Sequence, residues 1–509
     1  MLNVDVVVVG AGPTGLMLAG ELGRAGVRTL LLERRPEPSE VAKAGGLAGQ
    51  ILQLLHYRGE LNRFREAGTG MGPDPVLRFP FGGLQLDFTQ LEDSPMRVML
   101  LPQPRLEGVL AERAVERGSA IRRGHEVVGL YRDDDAVSVQ VQAPDGVYAV
   151  SARFLVGCDG GRSRVRDLAG ITFAGTSLPE IERLASLTVP DSVTVLDDGG
   201  LDVAGVGKIP FGYTATERGV FACSGTGGAM GIYTAEVEET DYEDDVPMTV
   251  AELSASVSRV LGVDLPLGEP LRMTRFGYSA KQADSYRDGR VFLAGDAAHL
   301  FPAGGVAVNA GMLDAANLAW KLAGAVHGWA PPGLLDTYSG ERRAAAERTL
   351  LHTSAQVALR RGYGPTADAL RALFLELTAD EQPLRRLGAL MAGTDVGSPT
   401  SQAHPLVGTF VTDRVLHVDH EDPKFAGILR DGRPVLLDLA DRPDLREVAG
   451  RWGGRADIIS APIANRPADA VLIRPDALIA WAADVDVPGK TALPALREAL
   501  STWFGVPPS

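Results

Sequence analysis

Several short stretches of the chain are almost continuously apolar instead of alternating. The first is Asp5–Val9, which runs into a glycine-rich turn, and the second is Thr29–Leu32, which follows a stretch of helical composition, LMLAGELGRAGV. A short, continuous apolar run is typical of a strand that is buried on both faces of a parallel sheet. Residues 5–33 therefore predict a strand, a helix and a second strand parallel to the first.

Two later apolar runs end in the same way. FLVGCDGG (154–161) breaks at Asp159, VFLAGD (291–296) breaks at Asp296, and small residues follow both acids. A helix is predicted next, over about Asn309–Ala325, because apolar residues recur there at helical spacing. The positions that we assign to the core are Met312, Ala316, Ala319, Trp320 and Ala323.

The residues between and after these runs have other patterns. Short alternating stretches broken by Gly and Asp, around 71–98 and 175–280, predict an antiparallel sheet. Past about 395, GSPTSQAHPLVG predicts a linker. Three strand candidates, two helices and a closing helix, ALPALREALSTWFG, follow it. The chain is thus expected to contain a parallel α/β part, an antiparallel part and a separate carboxy-terminal unit.

Length and charge narrow the class of protein. With 509 residues the chain is too long for one ordinary core, so we expect two or three domains. The net charge of −15 argues against nucleic acid as a partner, because phosphate binding requires a basic face. The amino terminus has neither the basic flank of a signal peptide nor the roughly 20 apolar residues of a membrane span. We expect a cytoplasmic protein whose partner is a small molecule and not a membrane.

Cysteine usage supports the same expectation. The sequence has two cysteines, Cys158 and Cys223, without a CxxC pair and without histidines at metal-ligand spacing. A reduced protein without disulfides and without a metal site is therefore expected. Cys158 is interpreted as a small buried hydrophobe.

The first turn carries a dinucleotide signature. Gly10-Ala11-Gly12-Pro13-Thr14-Gly15 follows a predicted strand, precedes a predicted helix and is followed by the acidic Glu33. Gly10 allows the tight turn, Gly12 lets the backbone approach a pyrophosphate, and Gly15 lets helix and strand close together. The helix amino terminus attracts phosphate, and Glu33 can accept hydrogen bonds from a ribose. These residues alone leave open whether the dinucleotide is NAD or FAD.

Three spaced motifs together resemble a known family. They are GAGPTG with Glu33, CDGGRSRVR (158–166), and GDAAH…GG…N…DAANLAWKL (295–322). In this order they resemble the single-component FAD-dependent aromatic hydroxylases built like para-hydroxybenzoate hydroxylase, and most of all those that act on aromatic polyketides. The resemblance implies an α/β fold. It comprises an FAD-binding, Rossmann-like domain of the glutathione-reductase type, an inserted antiparallel β-sheet substrate domain and a thioredoxin-like domain.

The resemblance also implies domain boundaries. The FAD-binding domain would comprise 1–70, 98–175 and 280–395, and the substrate domain 71–97 and 176–279. The thioredoxin-like domain would comprise 400–509, where the phrase AVLIRPDALIAW is characteristic. That domain has no cysteine, so thiol–disulfide chemistry is excluded there and a structural or dimer-forming role remains.

Site residues are carried over from the family motifs. Asp296 is expected at ribityl and ribose hydroxyls, and Ala303-Gly304-Gly305 at the isoalloxazine edge. The following helix would aim its amino terminus at the flavin N1–C2=O region. The expected FAD contacts are Gly10, Gly12, Pro13, Thr14, Gly15, Glu33, Arg34, Lys43, Gln103, Asp159, Asp296, Gly304, Gly305, Val306 and Ala307. The aromatic residues expected either to line the substrate pocket or to fill the core are Phe79, Phe81, Phe88, Phe211, Tyr213 and Phe221.

Some of these assignments leave alternatives. Gln103 either touches the ribityl chain or is a polar residue at a helix start. Arg164 and Arg166 either meet the pyrophosphate of NAD(P)H or are solvated charges at a helix start. Asp159 is expected to serve FAD and, indirectly, nicotinamide, and His299 is expected to support its loop.

The chain departs from the family pattern at three places. Lys43 stands where the family usually has an arginine against the pyrophosphate, and a lysine lacks the bidentate fork. Gln50 replaces a second arginine, and Val306-Ala307 replaces a Gln-Gly pair beside the flavin.

The implied reaction is oxygenation of an aromatic ring. NADPH or NADH reduces FAD, the reduced flavin captures O2 as a C4a-hydroperoxide, and the distal oxygen attacks an electron-rich substrate. No general base can be named, and a homodimer is left open. The rivals are Baeyer–Villiger insertion or epoxidation of a polyketide, inactivation of an aromatic antibiotic, and a flavoprotein that does not oxygenate. The Val306-Ala307 departure favours the last of these.

Overall fold

The helices and strands follow in chain order. The computed structural model describes residues 2–41, 43–68, 72–76, 78–91, 94–226, 228–237, 246–302, 305–395, 404–417 and 425–508. Over these residues the strands are β1 (Leu2–Val9), β2 (Thr29–Glu33), β3 (Gly46–Ala48), β4 (Asp74–Pro75), β5 (Arg78–Phe81), β6 (Leu84–Asp87), β7 (Arg97–Leu100), β8 (Ala120–Arg123), β9 (Glu126–Arg132), β10 (Val137–Ala143), β11 (Gly146–Gly157), β12 (Phe173–Thr188), β13 (Val193–Val195), β14 (Leu201–Val203), β15 (Gly207–Ile209), β16 (Gly212–Thr216), β17 (Gly219–Thr226), β18 (Ala229–Val237), β19 (Pro270–Ala283), β20 (Arg287–Asp288), β21 (Val291–Leu293), β22 (His299–Leu300), β23 (Val435–Asp438), β24 (Asp457–Ser460), β25 (Ala470–Ile473) and β26 (Ile479–Ala483). The α-helices are α1 (Pro13–Arg24), α2 (Gln50–Tyr57), α3 (Leu61–Ala67), α4 (Gln103–Glu116), α5 (Arg164–Ala169), α6 (Val250–Leu261), α7 (Ala307–Val326), α8 (Asp336–Arg361), α9 (Pro365–Thr378), α10 (Glu381–Ala392), α11 (Asp413–Leu416), α12 (Pro443–Gly450) and α13 (Gly489–Phe504).

The continuous apolar runs form the parallel sheet, as predicted. Its central order is β20-β21-β11-β1-β2-β8, and β1 pairs in parallel with both β2 and β11. Side chains on both faces are buried, as Val6, Val7 and Val8 show with no exposed surface. The carboxyl ends of β1, β11 and β21 therefore place three motif turns along one edge of the sheet.

The alternating stretches form antiparallel sheets, also as predicted. The larger sheet has the order β16-β17-β18-β12-β19-β22, and α6 covers one face with Leu253, Val257 and Val260. The short β22 follows the 291–296 motif directly and pairs with β19. The two sheets are thereby joined beside the motif turns. The predicted domain boundary at 97/98 falls in β7, which pairs with β3 and β4.

The carboxy-terminal unit has four strands, ordered β24-β23-β25-β26. The sequence predicted three, because the third candidate is in fact two antiparallel strands joined by a turn at Arg474–Leu478. Ala477 takes a φ of 62° in that turn. One face of the sheet packs on α12 and α13. The other face packs, through Val435, Leu437 and Ile473, against the hydrophobic core that surrounds β1, β2 and β11. The predicted linker lies largely in 396–403, outside the described residues.

Buried charges connect this unit to α7 and α8. Arg474 donates to both oxygens of Glu341, at 2.7 and 2.8 Å, and also to Asp476. Lys321 donates to Glu341 as well, at 2.8 Å. Asn317 bridges Glu341 and Asp476. All five side chains are buried, and the two positive and two negative charges balance.

The fold expected from the sequence is confirmed: an α/β part built on a mainly parallel sheet, antiparallel sheets beside it and a separate α/β carboxy-terminal unit. Among the described residues, no helix is long and apolar enough to cross a membrane.

Candidate active site

The glycine turn after β1 has the geometry of a phosphate site. A Cβ at Gly10, where φ is 105°, would lie 2.3 Å from the Cys158 carbonyl oxygen, and one at Gly15 would lie 2.0 Å from the Gly10 oxygen. By contrast, a Cβ at Gly12 would meet nothing within 4 Å. Helix α1 begins at Pro13 without a side-chain cap or an acidic residue in its first turn. The space beside Gly12 is therefore open to an anion, which the backbone N–H groups at the start of α1 can bind.

Glu33 is held against this turn. Its carboxylate accepts the backbone N–H groups of Ala11, at 2.7 Å, and Arg35, at 2.8 Å. Each oxygen keeps capacity for a second hydrogen bond, as a ribose requires. Arg34 is exposed beside it. The Thr14 side chain instead packs on Gly295 and Gly311, so only its backbone is left to serve a phosphate.

Asp296 and Lys43 are close enough for the lysine charge to act on the carboxylate. The Asp296 side chain is accessible to solvent, but protein surrounds it closely enough to desolvate the carboxylate, and this raises its pKa. The charges of His299 and Lys43 act in the opposite direction. Arg272 of β19 donates to the Lys43 carbonyl at 3.0 Å, and burial lowers the pKa of its guanidinium. No local signal in the sequence pointed to Arg272, since it lies 229 residues from Lys43 in an ordinary strand.

His299 supports the motif turn through Asp314. The two side chains share a hydrogen bond of 2.7 Å, and Asp314 also accepts the Gly295 N–H at 3.0 Å and Arg342 Nε at 2.6 Å. Burial by itself would raise the pKa of Asp314, but the charges of His299 and Arg342 outweigh it and lower that pKa. The turn is therefore fixed to both α7 and α8.

Arg166 is not the solvated charge that one of its two expected roles required, and its contact with NAD(P)H stays a prediction. It is buried, donates to the carbonyls of Ala297 (3.1 Å) and Gly161 (3.0 Å), and stacks on Phe173 with its guanidinium carbon 3.9 Å from the ring centre. Arg166 therefore connects the turn after β11 to the turn after β21 by hydrogen bonds. Arg164 is exposed.

Asp159 and Gln103 are engaged within the protein. The Asp159 carboxylate accepts Ser163 Oγ and the Val165 N–H, and burial raises its pKa. Gln103 accepts the Ala44 N–H at 3.1 Å and donates to Glu107 at 2.8 Å. Both residues thus fix the loops around the cleft, and their contact with FAD stays a prediction.

The loop before α7 is described from Gly305 onward, and Ala303 and Gly304 lie outside the described residues. Helix α7 begins at Ala307 with Val306 as its N-cap residue, without a capping side chain or an acid in the first turn. Asn309 accepts the Ala48 N–H at 3.0 Å, which brings β3 against this helix end. The amino terminus of α7 is therefore open to an electron-rich group.

A cavity of about 240 Å³ begins at this helix end. Gly45–Ala48 and Gly305–Ala310 contribute to its first part, and α8 lines its length through Ala345, His352 and Gln356. Gln50, the second departure from the family pattern, also lines it and donates to the Gly393 carbonyl. The α8 residues lie outside every motif, so the sequence held no local signal for them.

Of the aromatic residues named from the sequence, Phe79 lines this cavity. Phe81 stacks on Phe374 with ring centres 5.5 Å apart, and Phe88 is buried in the same small core. Phe221 is fully buried under the larger antiparallel sheet. These three are core residues: Phe81 and Phe221 point away from the cavity on their strands, and Phe88 lies in the short 3-10 turn that follows β6. Phe211 and Tyr213 are partly exposed and are not among the described residues that line it.

Two family models match the chain. One, described as an FAD binding domain, matches residues 3–353, and the other, described as the carboxy-terminal part of aromatic-ring hydroxylases, matches residues 404–507. The chain belongs to the FAD-dependent aromatic-ring hydroxylases. It is a flavin-dependent monooxygenase, and FAD is its cofactor. The open phosphate site at Gly12 and the fixed Glu33 carboxylate fit that cofactor.

Named relatives of this hydroxylase cover its whole length. A 12-dehydrotetracycline 5-monooxygenase/anhydrotetracycline 6-monooxygenase of Streptomyces rimosus is 38% identical over 99% of this chain and 100% of its own. A rifampicin monooxygenase of Streptomyces venezuelae is 37% identical over 98% of each chain. Among solved structures, the anhydrotetracycline hydroxylase OxyS from Streptomyces rimosus has a TM-score of 0.84 at 35% identity and covers 100% of both chains.

Proposed function

We propose that this monooxygenase hydroxylates a polycyclic aromatic compound of polyketide type and consumes NADPH or NADH together with O2. Relatives named for anhydrotetracycline and rifampicin, which cover the full chain, support this substrate class. The cavity that begins at the amino terminus of α7 and continues along α8 carries the proposal.

The protein's own residues bind and orient the cofactor. The amino terminus of α1 and Lys43 would hold the pyrophosphate, Glu33 the adenosine ribose, and Asp296 the ribityl chain. The backbone at Gly305–Ala307 would lie beside the flavin ring. When bound, FAD supplies the redox chemistry that transfers electrons from NAD(P)H to oxygen.

The cavity wall supplies what the oxygenation needs from the protein. Its apolar residues exclude water and hold the aromatic ring near the flavin side of the cavity. Those on β7, or directly before it, and on α7 and α10 are Met96, Val98, Leu100, Leu313, Leu390 and Met391. An aromatic ring gains free energy from burial against such side chains, at about 25 cal/mol for each Å² of apolar surface.

Oxygen transfer is tested with labelled O2. The FAD-loaded protein is incubated with NADPH, ¹⁸O₂ and hydroxylated anthraquinones or naphthacenequinones, and the products are analysed by mass spectrometry and NMR. We expect one ¹⁸O atom in a new ring hydroxyl and NADPH oxidation that the substrate accelerates. A ring-expanded lactone would instead indicate Baeyer–Villiger insertion. An unlabelled product, or oxidation of NADPH that no compound stimulates, would refute the oxygenase function.

The proposal also covers the location, the partners and the oligomeric state of the protein. A reaction that consumes NAD(P)H is best placed in the cytoplasm, where the reduced nucleotide is regenerated. The net charge of −15 disfavours nucleic acid as a partner. The thioredoxin-like unit is the part proposed to form a homodimer, which the mass of the protein in solution would test.

A further inference from the structure

One face of α8 runs along the cavity. Ala345, Thr349, His352 and Gln356 all line it, and spacings of three and four residues place them on the same side of the helix. From Ala345 to Gln356 the helix rises about 16 Å at 1.5 Å per residue. The cavity is therefore bordered over the length of several fused rings by one stripe of α8.

This stripe brings polar groups to the cavity opposite an apolar wall. His352 and Gln356 present a ring nitrogen and an amide, whereas the lining residues on β7 and α10 are aliphatic or thioether side chains. The Thr349 hydroxyl is already engaged, since it donates to the Ala345 carbonyl at 3.0 Å. On this stripe, the polar groups left for a ligand are therefore those of His352 and Gln356.

His352 has one ring nitrogen held and one open. Its Nδ1 lies 3.2 Å from Gln356 Nε2, and the side chain is only 3% exposed. An amide N–H donated to Nδ1 leaves the proton of a neutral imidazole on Nε2. Nε2 makes no hydrogen bond to another described residue, and the ring lines the cavity, so this nitrogen is available to a ligand. Burial lowers the pKa of His352 to about 4, so the ring is neutral near pH 7.

We propose that His352 binds an oxygen at the edge of the substrate, and that the substrate is a fused-ring aromatic compound whose oxygens lie along one edge. The neutral Nε2–H donates to a carbonyl or phenolate oxygen, while the opposite, unsubstituted edge lies against β7 and α10. This inference rests on the proposed function and specifies the substrate class of the same site.

Two isomeric ligands and three variants test the inference. Equilibrium binding to the oxidised, FAD-loaded protein is measured through the flavin spectrum with two isomers. The first is 1,8-dihydroxyanthraquinone, which has three of its four oxygens on one long edge, and the second is the 2,6-isomer, which has one oxygen on each long edge. In the wild type we expect tighter binding of the 1,8-isomer. His352→Leu should weaken that binding about tenfold and leave the 2,6-isomer within about threefold. His352→Gln, which returns an N–H near the Nε2 position, should recover most of the loss.

Thr353→Val provides the matched control. Thr353 lies on the same helix, is buried and donates to the Thr349 carbonyl at 2.7 Å, but does not line the cavity. It should leave both dissociation constants unchanged, and FAD content and melting temperature confirm that every variant is folded. Equal weakening of both isomers by His352→Leu, no weakening, or a wild type that binds neither isomer would overturn the inference. Since binding needs neither NADPH nor O2, the expected binding without ¹⁸O-labelled product would refute the oxygenation and leave the recognition by His352 standing.

Discussion

Gly12 and Gly15 lie in the same turn, but a side chain would be excluded from each for a different reason, and this difference can be measured. Gly15→Ala places a methyl group 2.0 Å from a backbone oxygen, whereas Gly12→Ala meets no protein atom within 4 Å. We expect Gly15→Ala to lower the melting temperature of the apoprotein clearly and also to weaken FAD binding. Gly12→Ala should leave the stability of the apoprotein unchanged. It should weaken FAD binding by about tenfold or more, because the methyl group fills the space of the pyrophosphate.

Gly108→Ala is the control for helix propensity. Gly108 lies inside α4, where a Cβ would also meet nothing within 4 Å. This change should stabilise the protein by up to about 1 kcal/mol and leave FAD binding unaltered. Titration of flavin fluorescence and thermal unfolding provide both readouts. Equal FAD affinity in Gly12→Ala and the wild type would contradict the phosphate assignment.

His352 also predicts how stability depends on pH. Its pKa is about 4 in the folded protein and about 6.5 in an unfolded chain, so protonation favours unfolding. The stability that the neutral ring permits is complete above about pH 6.5 and is lost as the pH falls towards 4. At pH 4.5 the loss amounts to about 2.5 kcal/mol.

The measurement compares the wild type with His352→Gln. Urea unfolding at pH 7 and pH 4.5 should show a smaller acid-induced loss in the variant, because glutamine does not titrate. Identical losses in both proteins would show that the ring is solvated and titrates normally. Carboxyl groups elsewhere titrate in both proteins alike and cancel in the comparison.

At the scale of elements, the amino terminus of α7 is the feature expected to act on the flavin. It has no acidic residue in its first turn, and Val306 is its N-cap residue. Val306→Asp would place a negative charge where the reduced ring accumulates one, whereas Val306→Asn has the same shape without the charge. We expect the midpoint potential of bound FAD to be about 10 to 40 mV more negative in Val306→Asp than in Val306→Asn. Equal potentials, measured by dye equilibration, would show that this helix end does not face the flavin.

Local patterns predicted most of these elements. Continuous apolar runs correctly indicated β1, β2, β11 and β21, because a strand buried on both faces has no solvent side to mark. The same patterns merged β25 and β26 into one strand, since both are fully buried and the turn between them contains no glycine. Polar residues in that turn, Arg474 and Asp476, face buried partners instead of water. A pattern of polarity therefore could not reveal it.

At the scale of the whole molecule, Arg474 joins the carboxy-terminal unit to the catalytic part. It is the shared partner of Glu341 on α8 and Asp476 in its own turn, and it stacks on Trp503 with its guanidinium carbon 4.4 Å from the ring centre. Arg474→Met leaves two buried carboxylates with fewer partners. Loss of one partner from a buried pair typically costs about 3–5 kcal/mol.

Hydrogen exchange followed by mass spectrometry localises this loss. In Arg474→Met we expect faster exchange in β25, β26, α7 and α8 together, because the cluster links all four. The surface control Arg451→Met, at an exposed position just after α12, should exchange like the wild type. Faster exchange confined to β25 and β26 would mean that the cluster stabilises only its own turn.

The sequence by itself determined the cofactor class and the family, because the turns that bind phosphate and ribose are short and locally encoded. The spacing of the glycines and the acids at the ends of apolar runs can be read directly from the sequence. Only the tertiary structure decided which side chains border the cavity. It placed Arg272 beside Lys43, brought His352 and Leu390 to the wall of one cavity, and buried Phe81 and Phe221 in the core. The reason is physical: the cavity is enclosed by elements hundreds of residues apart, and the orientation of each side chain depends on packing that no local pattern encodes.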